Sequence, residues 1–434
     1  MDLHGDLSGD RRGDPLGDRR GDPREDLRED PRDFPEAGRV ISRLVARIET
    51  RMFGKTEAVR KLVIAVLAGG HALIEDVPGT GKTLLVKTLA QSIGCSFRRI
   101  QFAPDLLPSD ITGAAVFNQR TGDFEFKPGP LFSANLLLAD ELNRASPRTQ
   151  AALLEAMEEL RVTVDGESRE LERPFIVLAT QNPLEHEGTY PLPEAQLDRF
   201  LLRIRLGYPD AGAEVRMLDS ELARSANRSP DRPQDRSEWS ALSREWSHDP
   251  AALAEPTDAD GLPPVLTRDM LLALRRMAAE VYVDEAIKRY IVDLARATRA
   301  HPDLACGVSP RAAIALMKAA QARALAEGRS YVIPDDVKAL VKPVFAHRLK
   351  HAAHASWTGL GLAAGAGLAS GGGDGAEAWW IADERERAVD RALDSILARV
   401  PVPLASFVPY ASSYAAGPHS APESSRSVRP GIRP

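Results

Sequence analysis

The nine residues "EDVPGTGKT" (75–83) decide how the rest of the chain is interpreted. They follow the apolar run "HALIE" (71–75) and precede "LLVKTLAQSIG" (84–94), so a strand leads into the stretch and a helix leads out of it. Their last three residues match the end of the phosphate-loop pattern G-x-x-x-x-G-K-[ST], whereas Asp76 occupies the place of its first glycine. The stretch therefore predicts a phosphate-binding loop; a glycine-rich turn that binds no nucleotide is the alternative.

Each residue type in this loop suits phosphate binding for a separate reason. Gly79 and Gly81 let backbone N–H groups face a phosphate without a Cβ in the way. Lys82 would reach the β- and γ-phosphates, and Thr83 would offer its hydroxyl to Mg²⁺. The helix that follows adds the positive end of its dipole. The predicted nucleotide-contacting residues are Asp76, Val77, Pro78, Gly79, Thr80, Gly81, Lys82, Thr83 and Leu84.

A second apolar strand, "NLLLA" (135–139), ends in two carboxylates, Asp140 and Glu141. A buried strand rarely ends in two neighbouring acids without a cation nearby. We predict that Asp140 holds Mg²⁺ through water, alongside Thr83, and that Glu141 orients and activates the attacking water. Two acids that simply begin a solvated turn are the alternative.

Asn182 ends a third apolar strand, "PFIVLATQN" (174–182). A single Asn at a strand end is most often a turn residue. Beside the other two strands, it is better interpreted as a polar sensor of the γ-phosphate.

The order of the elements predicts the fold class and the domains. Strands that alternate with helices indicate an α/β fold with a parallel sheet flanked by helices, and the helical patterns from 265 to 350 follow one another without strands. Mixed charge and regularly spaced proline, without aromatics, predict disorder at the amino terminus. The predicted divisions are a charged repeat tail at 1–33, an α/β nucleotide-binding domain at 34–222, a polar insert or linker at 223–264, a smaller all-helical domain at 265–350, a glycine-rich insert and final helix at 351–403, and a disordered tail at 404–434.

Two helices carry clear end signals or apolar stripes. "TEAVRKLVIAVLAGG" (56–70) predicts a helix with Thr56 as its N-cap and the two glycines as its stop. The last helix carries an apolar stripe at helical spacing. The stripe consists of Val389, Leu393, Ile396, Leu397 and Val400.

Composition excludes several classes of protein. The 434 residues carry a net charge of −6, which disfavours nucleic acid as a partner. Two isolated cysteines, Cys95 and Cys306, fit a reducing compartment and predict neither a disulfide framework nor a metal site. No signal peptide opens the chain, and no window offers about 18 continuous apolar residues. These features predict a cytoplasmic protein without a membrane span.

Residues 36–350 resemble the MoxR family of AAA+ ATPases, in the helix-2-insert branch. The matching segments, in family order, include "EDVPGTGKT", "RRIQFAPDLLPSDITG", "LLLADELNRASPRTQAALLEAMEE", "YPLPEAQLDRF" and "GVSPRAAIALMKAAQARALAEGRSYVIPDDVKAL". The resemblance implies ATP and Mg²⁺ as cofactors. It also implies Lys82 and Thr83 as Walker A, Asp140 and Glu141 as Walker B, Asn182 as sensor 1, Arg199 as the arginine finger and Arg311 as sensor 2. The predicted catalytic residues are Glu141, Lys82, Asn182, Arg199 and Arg311.

Two hairpins are predicted between these motifs. "AAVFNQRTGDFEFKPGPLF" (114–132) and "RVTVDGESRELERPF" (161–175) alternate apolar and polar residues around turn signals. The resemblance implies that they are inserts that face a central pore or a partner. Hairpins that merely cap the sheet edge are the alternative.

The resemblance also implies the work that ATP drives. Relatives remodel or activate proteins, so we expect a ring, as a homo-hexamer, whose client is a von Willebrand factor A domain protein. A DNA motor is the alternative, but each hairpin carries acids that would repel phosphate. These acids are Asp123, Glu125, Asp165 and Glu167. A non-enzymatic, nucleotide-gated scaffold would require Glu141 to be idle.

Overall fold

A five-stranded parallel sheet organises the first half of the chain. The computed structural model describes residues 33–76, 79–181, 189–227, 263–352 and 375–403. The strands are β1 (His71–Glu75), β2 (Phe97–Gln101), β3 (Gly113–Asn118), β4 (Asp123–Pro128), β5 (Leu136–Asp140), β6 (Arg161–Val164), β7 (Glu167–Glu170), β8 (Ile176–Gln181), β9 (Phe200–Ile204), β10 (Leu304–Cys306) and β11 (Lys350–His351). The sheet order is β2-β5-β8-β1-β9, and every neighbouring pair is parallel.

Helices flank this sheet and fill the second half of the chain. They are α1 (Phe34–Glu49), α2 (Thr56–Leu67), α3 (Lys82–Ser92), α4 (Pro108–Thr112), α5 (Pro147–Glu159), α6 (Glu194–Leu197), α7 (Ala211–Asn227), α8 (Arg268–Glu280), α9 (Glu285–Ala300), α10 (Pro310–Ala326), α11 (Pro334–Phe345) and α12 (Gly375–Arg399). The predicted fold class, an α/β core followed by a smaller helical lid, is confirmed. The term lid refers below to residues 265–350.

Both faces of the sheet are buried, which explains why its central strands are apolar throughout. Alternate residues of β1 point to opposite faces: Ala72 and Ile74 join one core cluster, and Leu73 joins the other. The first cluster contains α1, α2, α3 and the lid helices, and the second contains α5. Because the first cluster is continuous from the sheet into the lid, both parts of the chain share one apolar core.

Three local features differ from the sequence-based predictions. The strand β9 was not among the predicted strands. A two-stranded antiparallel ribbon, β10 with β11, lies within the part predicted to lack strands. Helix α2 is capped at Lys55 rather than Thr56, without a side-chain hydrogen bond, because a lysine ammonium is only a donor and cannot accept from a helix N–H.

The ends of the described segments also bear on the predicted boundaries. Asp33 is the N-cap of α1, since its Oδ1 accepts a hydrogen bond from the N–H of Glu36 at 2.7 Å. Helix α7 continues to Asn227, five residues into the segment predicted as a linker from residue 223. The predicted tails and most of both predicted inserts lie outside the described residues.

The last helix packs as its stripe predicts. Val389, Leu393 and Ile396 are buried in the first core cluster, and Leu397 and Val400 pack against it. Within the described ranges, no helix is both long and apolar enough to cross a membrane.

Candidate active site

The predicted phosphate loop lies between the carboxyl end of β1 and the first turn of α3. Gly79 and Gly81 have φ values of 84° and 89°, in the left-handed region that favours glycine. A Cβ on Gly79 would meet nothing within 4 Å, so glycine is needed there for its backbone conformation. Lys82, the first residue of α3, donates from Nζ to the backbone oxygen of Asp76 at 2.8 Å. Val77 and Pro78 lie outside the described residues.

Asp76 has a specific role in place of the missing first glycine. Its Oδ2 accepts hydrogen bonds from the N–H groups of Leu206 at 2.9 Å and Gly207 at 2.8 Å. Lys55 donates from Nζ to the carbonyl oxygens of the same two residues, each at 2.7 Å. Burial lowers the pKa of Lys55, while the nearby Asp76 and Asp210 carboxylates oppose that shift. The start of the phosphate loop is thereby tied to the passage from β9 to α7.

Asp140 and Glu141 meet at the hydroxyl of Thr180, which lies on the neighbouring strand β8. The Thr180 Oγ1 donates to Asp140 Oδ1 at 2.5 Å and accepts from the N–H of Glu141 at 2.9 Å. Asp140 Oδ2 accepts from Arg99 on β2, from Nη2 at 2.7 Å and from Nε at 3.1 Å. Both oxygens of the buried Asp140 carboxylate therefore have protein donors.

Glu141 has a left-handed backbone, with φ of 57°, which is uncommon for a residue with a side chain. Such a conformation costs on the order of 1 kcal/mol or more and persists where surrounding bonds fix it. Here the N–H bonds to Thr180 and the carbonyl accepts from the N–H of Arg144 at 2.9 Å. The carboxylate is held too, since Oε2 accepts from Gln101 at 2.7 Å and from Arg144 at 3.1 Å.

The donors and acceptors at this edge fit a magnesium-bound nucleoside triphosphate. Strand β8 separates β1 from β5, so roughly 10 Å, two strand spacings, lies between the loop and the carboxylates. Thr83 is half-buried in the first turn of α3, where its hydroxyl is a hard oxygen ligand like the Asp140 carboxylate. A lysine, two left-handed glycines and a helix start provide the phosphate cradle. Asn182 lies outside the described residues.

Arg199 and Arg311 lie at the amino ends of the sheet strands, whereas the phosphate loop lies at the carboxyl ends. Phe200, the first residue of β9, is in register with His71, the first residue of β1. Arg199 is therefore beside the amino end of β1, on the order of 15 Å from the loop that follows its carboxyl end. Arg311, at the start of α10, lies close to Arg199, because both pair with Glu158 at 3.0 Å. The structure thus groups the two predicted arginines together and separates them from Lys82.

The lid is held against this amino edge by further polar contacts. Asp198 accepts from Ser309 Oγ at 2.9 Å and from Arg348 Nε at 2.7 Å. Glu194 pairs with Lys350 at 2.5 Å. These contacts fix the start of α10, and with it Arg311, relative to the sheet.

Both predicted hairpins are present and lie side by side. Strand β3 pairs with β4 and β6 with β7, in antiparallel register. The Arg169 guanidinium of the second hairpin lies 4.2 Å from the ring centre of Phe126 in the first, a cation–π contact. Phe117 and Phe124 stack edge-on, 5.4 Å apart, and both are exposed. A displacement of one hairpin would therefore move the other.

Sequence reasoning missed four polar residues of the site. Thr180 is a polar residue inside the apolar run "IVLAT", and Arg99 and Gln101 alternate on β2 in "RRIQ". Alternation of polar residues toward a carboxyl strand end was a usable signal. Glu158 is one acid in the run "EAMEE" and had no distinguishing signal.

Comparisons with known proteins agree with this architecture. The family model described as ATPase family associated with various cellular activities (AAA) matches residues 71–202, and the AAA lid domain model matches residues 296–359. YeaC, an uncharacterized protein of Bacillus subtilis, is 46% identical over 74% of this chain and 90% of its own length. Chaperone MoxR1 of Mycobacterium tuberculosis is 38% identical, over 71% of this chain and 75% of its own.

A solved structure shows the same likeness. The crystal structure of a protein from Cytophaga hutchinsonii, assigned as an ATPase, has a TM-score of 0.64 and 32% identity, and covers 84% of this chain and 96% of its own. The fold, the loop and the paired carboxylates define an AAA+ protein with a helical lid. With relatives of this similarity over most of their length, the chain belongs to the MoxR family of AAA+ ATPases.

Proposed function

We propose that this protein hydrolyses ATP, with Mg²⁺, to remodel or activate a partner protein. The observation that carries the proposal is the Asp140–Thr180–Glu141 arrangement beside a phosphate loop on the same sheet edge. A buried and a partly buried carboxylate, each held in one orientation next to a lysine at a helix start, are what phosphoryl transfer from a bound nucleotide needs.

Each residue has a distinct task. Lys82 leaves the Asp76 carbonyl and contacts the β- and γ-phosphates, while Gly79 and Gly81 present backbone N–H groups to them. Bound Mg²⁺ would neutralise phosphate charge, and Thr83 and Asp140 are the residues that would hold it. Glu141 accepts a proton from the attacking water after its carboxylate leaves Gln101 and Arg144.

Substitution of Glu141 tests the chemistry. Glu141→Gln keeps a similar shape and is expected to bind ATP but to hydrolyse it at least about a hundredfold more slowly, the usual scale for loss of a positioned base. Nucleotide binding is measured by fluorescence of a labelled ATP analogue, and hydrolysis by phosphate release. Glu280→Gln at the end of α8, an exposed position, is the matched control. Near-normal turnover in Glu141→Gln would show that another group activates the water.

We propose that Arg199 and Arg311 act on ATP bound by a neighbouring copy in a ring, a homo-hexamer. Their place at the amino edge supports this, because their own loop lies at the other edge. An arginine on the γ-phosphate contributes about a thousandfold or more in rate.

Mixing two inactive variants tests this assignment. Arg199→Ala keeps an intact loop and carboxylates but offers no finger, whereas Glu141→Gln offers a finger but cannot hydrolyse. Mixed rings are expected to regain part of the activity, with a maximum at intermediate ratios. If subunits exchange and the mixture stays inactive, Arg199 does not act across the interface.

A protein client is favoured over DNA. The first hairpin (113–128) carries two acids and two bases, and the second (161–170) carries three acids and two bases, so neither offers the basic surface that binds phosphates. One relative is named a chaperone. The specific client class, a von Willebrand factor A domain protein, and the cytoplasmic location stay predictions. Affinity capture with Glu141→Gln, which keeps ATP bound, would retain a protein client. Strong stimulation of ATP hydrolysis by DNA would instead support the DNA motor.

A further inference from the structure

Glu158, near the end of α5, binds two arginines with its two carboxylate oxygens. Its Oε2 lies 3.0 Å from Nη2 of Arg199, and its Oε1 lies 3.0 Å from Nη1 of Arg311. Arg199 comes from the loop before β9, and Arg311 comes from the lid. One carboxylate therefore joins the two guanidiniums that sequence similarity links to ATP hydrolysis.

This arrangement is poorly suited to a purely stabilising role. The side chains of Glu158, Arg199 and Arg311 are 39%, 28% and 49% exposed. Ion pairs of that exposure contribute little to folding, because water screens them. Other contacts already hold the lid at this edge, among them the more buried pair of Arg348 with Asp198.

The arrangement is well suited to hold two like charges together. Without Glu158, two guanidiniums that converge on one point would repel each other and explore many rotamers. With Glu158 present, the trio of Glu158, Arg199 and Arg311 carries a net charge of +1, and both guanidiniums have fixed positions. Ordering an arginine costs side-chain entropy, and the folded subunit has already lost that entropy before any phosphate binds.

The trio is open to a second molecule. Arg199 and Glu158 line a surface cavity of about 350 Å³, together with Gln196 and with Glu155 one turn earlier on α5. The cavity lies at the amino edge of the sheet, far from the loop of the same chain.

We propose that Glu158 is a positioning residue for hydrolysis in the adjacent subunit. It holds Arg199 and Arg311 as a pair, at the separation and orientation in which both reach the γ-phosphate bound by the neighbour. This inference rests on the proposed function, in which the arginines act across the ring. Glu158 touches no phosphate itself and acts through the two guanidiniums.

Kinetic comparison of two substitutions, each at an exposed carboxylate that pairs with two cations, tests the role. Glu158→Gln is expected to lower kcat about ten- to a hundredfold, the scale of a misplaced catalytic group, and to change KM for ATP less than twofold. Glu285→Gln on α9 removes a carboxylate that pairs with Lys288 and Arg289, and is expected to keep the wild-type kcat. A Glu158→Gln kcat within twofold of wild type overturns the proposal.

Mixed rings separate positioning from damage to the subunit that carries the substitution. In a mixture of Glu158→Gln with Glu141→Gln, some intact loops face the correctly paired arginines of a Glu141→Gln neighbour, so activity is expected to return. If this mixture stays inactive while the Arg199→Ala mixture recovers, Glu158 serves its own subunit and the inference fails, although the proposed function stands. If wild-type protein does not hydrolyse ATP, the proposed function itself fails.

Discussion

The carboxylate of Asp76 lies 2.8 Å from the backbone nitrogen of Gly207, 131 positions further along the chain. Gly207 has a left-handed backbone, φ 61°, at the point where the chain leaves the sheet for α7. Lys55 satisfies the carbonyl groups of the same turn. The first residue of the phosphate loop thus also fixes the turn at which the chain leaves β9 for α7.

Asp76→Ala is expected to destabilise the fold by about 3 kcal/mol, because it leaves the N–H groups of Leu206 and Gly207 without their acceptor. It also removes one of the two carboxylates near Lys55. ATP affinity is expected to fall as well, since the loop loses its anchor. Denaturant unfolding and binding of a labelled ATP analogue measure the two effects. Asp76→Asn keeps an acceptor oxygen without the charge and is expected to fall between Ala and wild type. Wild-type stability of Asp76→Ala would mean that the junction holds without this residue.

His71 makes the stability of the sheet depend on pH. Its Nδ1 accepts from the N–H of Val177 at 2.9 Å, so the proton is on Nε2, which donates to the carbonyl of Met157 at 3.0 Å. Burial lowers the pKa of His71 to about 4 from 6.5, and a protonated ring could not accept from Val177. As pH falls, His71 therefore becomes protonated in the unfolded chain at a higher pH than in the folded chain.

The contribution of His71 is fully present above pH 6.5 and is lost as pH falls from 6.5 toward 4. The slope is about 1.4 kcal/mol per pH unit, or about 2 kcal/mol at pH 5. Burial lowers the pKa of His347 as well, which adds to the effect in the same direction. Denaturant unfolding at pH 7.5 and pH 5 measures the loss, and His71→Gln should show a smaller difference. Equal pH dependence in that variant would remove His71 as a cause.

Two amino-terminal truncations that differ only in whether they keep Asp33 are expected to differ in melting temperature. Residues 1–32 have no core-forming sequence pattern, so their removal is expected to leave ATP hydrolysis and the melting temperature unchanged. Removal of 1–33 also deletes the N-cap of α1, at a cost of about 1 kcal/mol and roughly 2–4 °C in melting temperature. Thermal unfolding of both truncations decides the matter. A fall of several degrees on removal of 1–32 would show that the repeat stabilises the fold.

Arg99 is expected to compete with Mg²⁺ for the carboxylate of Asp140. Its guanidinium already binds Oδ2, and two cations at one oxygen repel each other. Arg99→Ala should therefore lower the magnesium concentration for half-maximal binding of a labelled ATP analogue, by about three- to tenfold. Arg98→Ala is the control, because Arg98 donates to Ser133 on the other side of the strand. A higher magnesium requirement in Arg99→Ala would show that the arginine assists the ion.

Local patterns were sufficient to predict most of the fold. The parallel strands β1, β5 and β8 have apolar runs, and Ser146 and Ser309 cap their helices as their positions before proline predict. Strand β9 was missed because "FLLRI" follows a short helix closely and carries an inward arginine. That arginine, Arg203, pairs with Glu75 on the neighbouring strand β1.

The site was predictable only where its residues form a contiguous motif. Lys82, Asp140 and Glu141 lie in such motifs and reach one edge of the sheet. The partners of Asp76 and Glu158 come from distant parts of the chain, and no spacing rule connects them before the chain folds. The position of a residue along its strand also determines which site it can reach, and the sequence motif alone does not show this. Arg199 follows a helix end in sequence, but the register of β9 with β1 is what places it far from Lys82.

The opposite placement of Arg199 and Lys82 also dictates the symmetry of any assembly in which one serves the other. Such a contact joins surfaces at opposite ends of the sheet strands. An interface that pairs one surface with the other without containing both is heterologous, and it cannot close as a two-fold dimer. Head-to-tail contacts either close into a ring or continue as an open helix. Every subunit in such an assembly points the same way around it, and the two faces of the ring are chemically distinct. A partner bound on one face would therefore meet one copy per subunit of a surface that the other face does not offer.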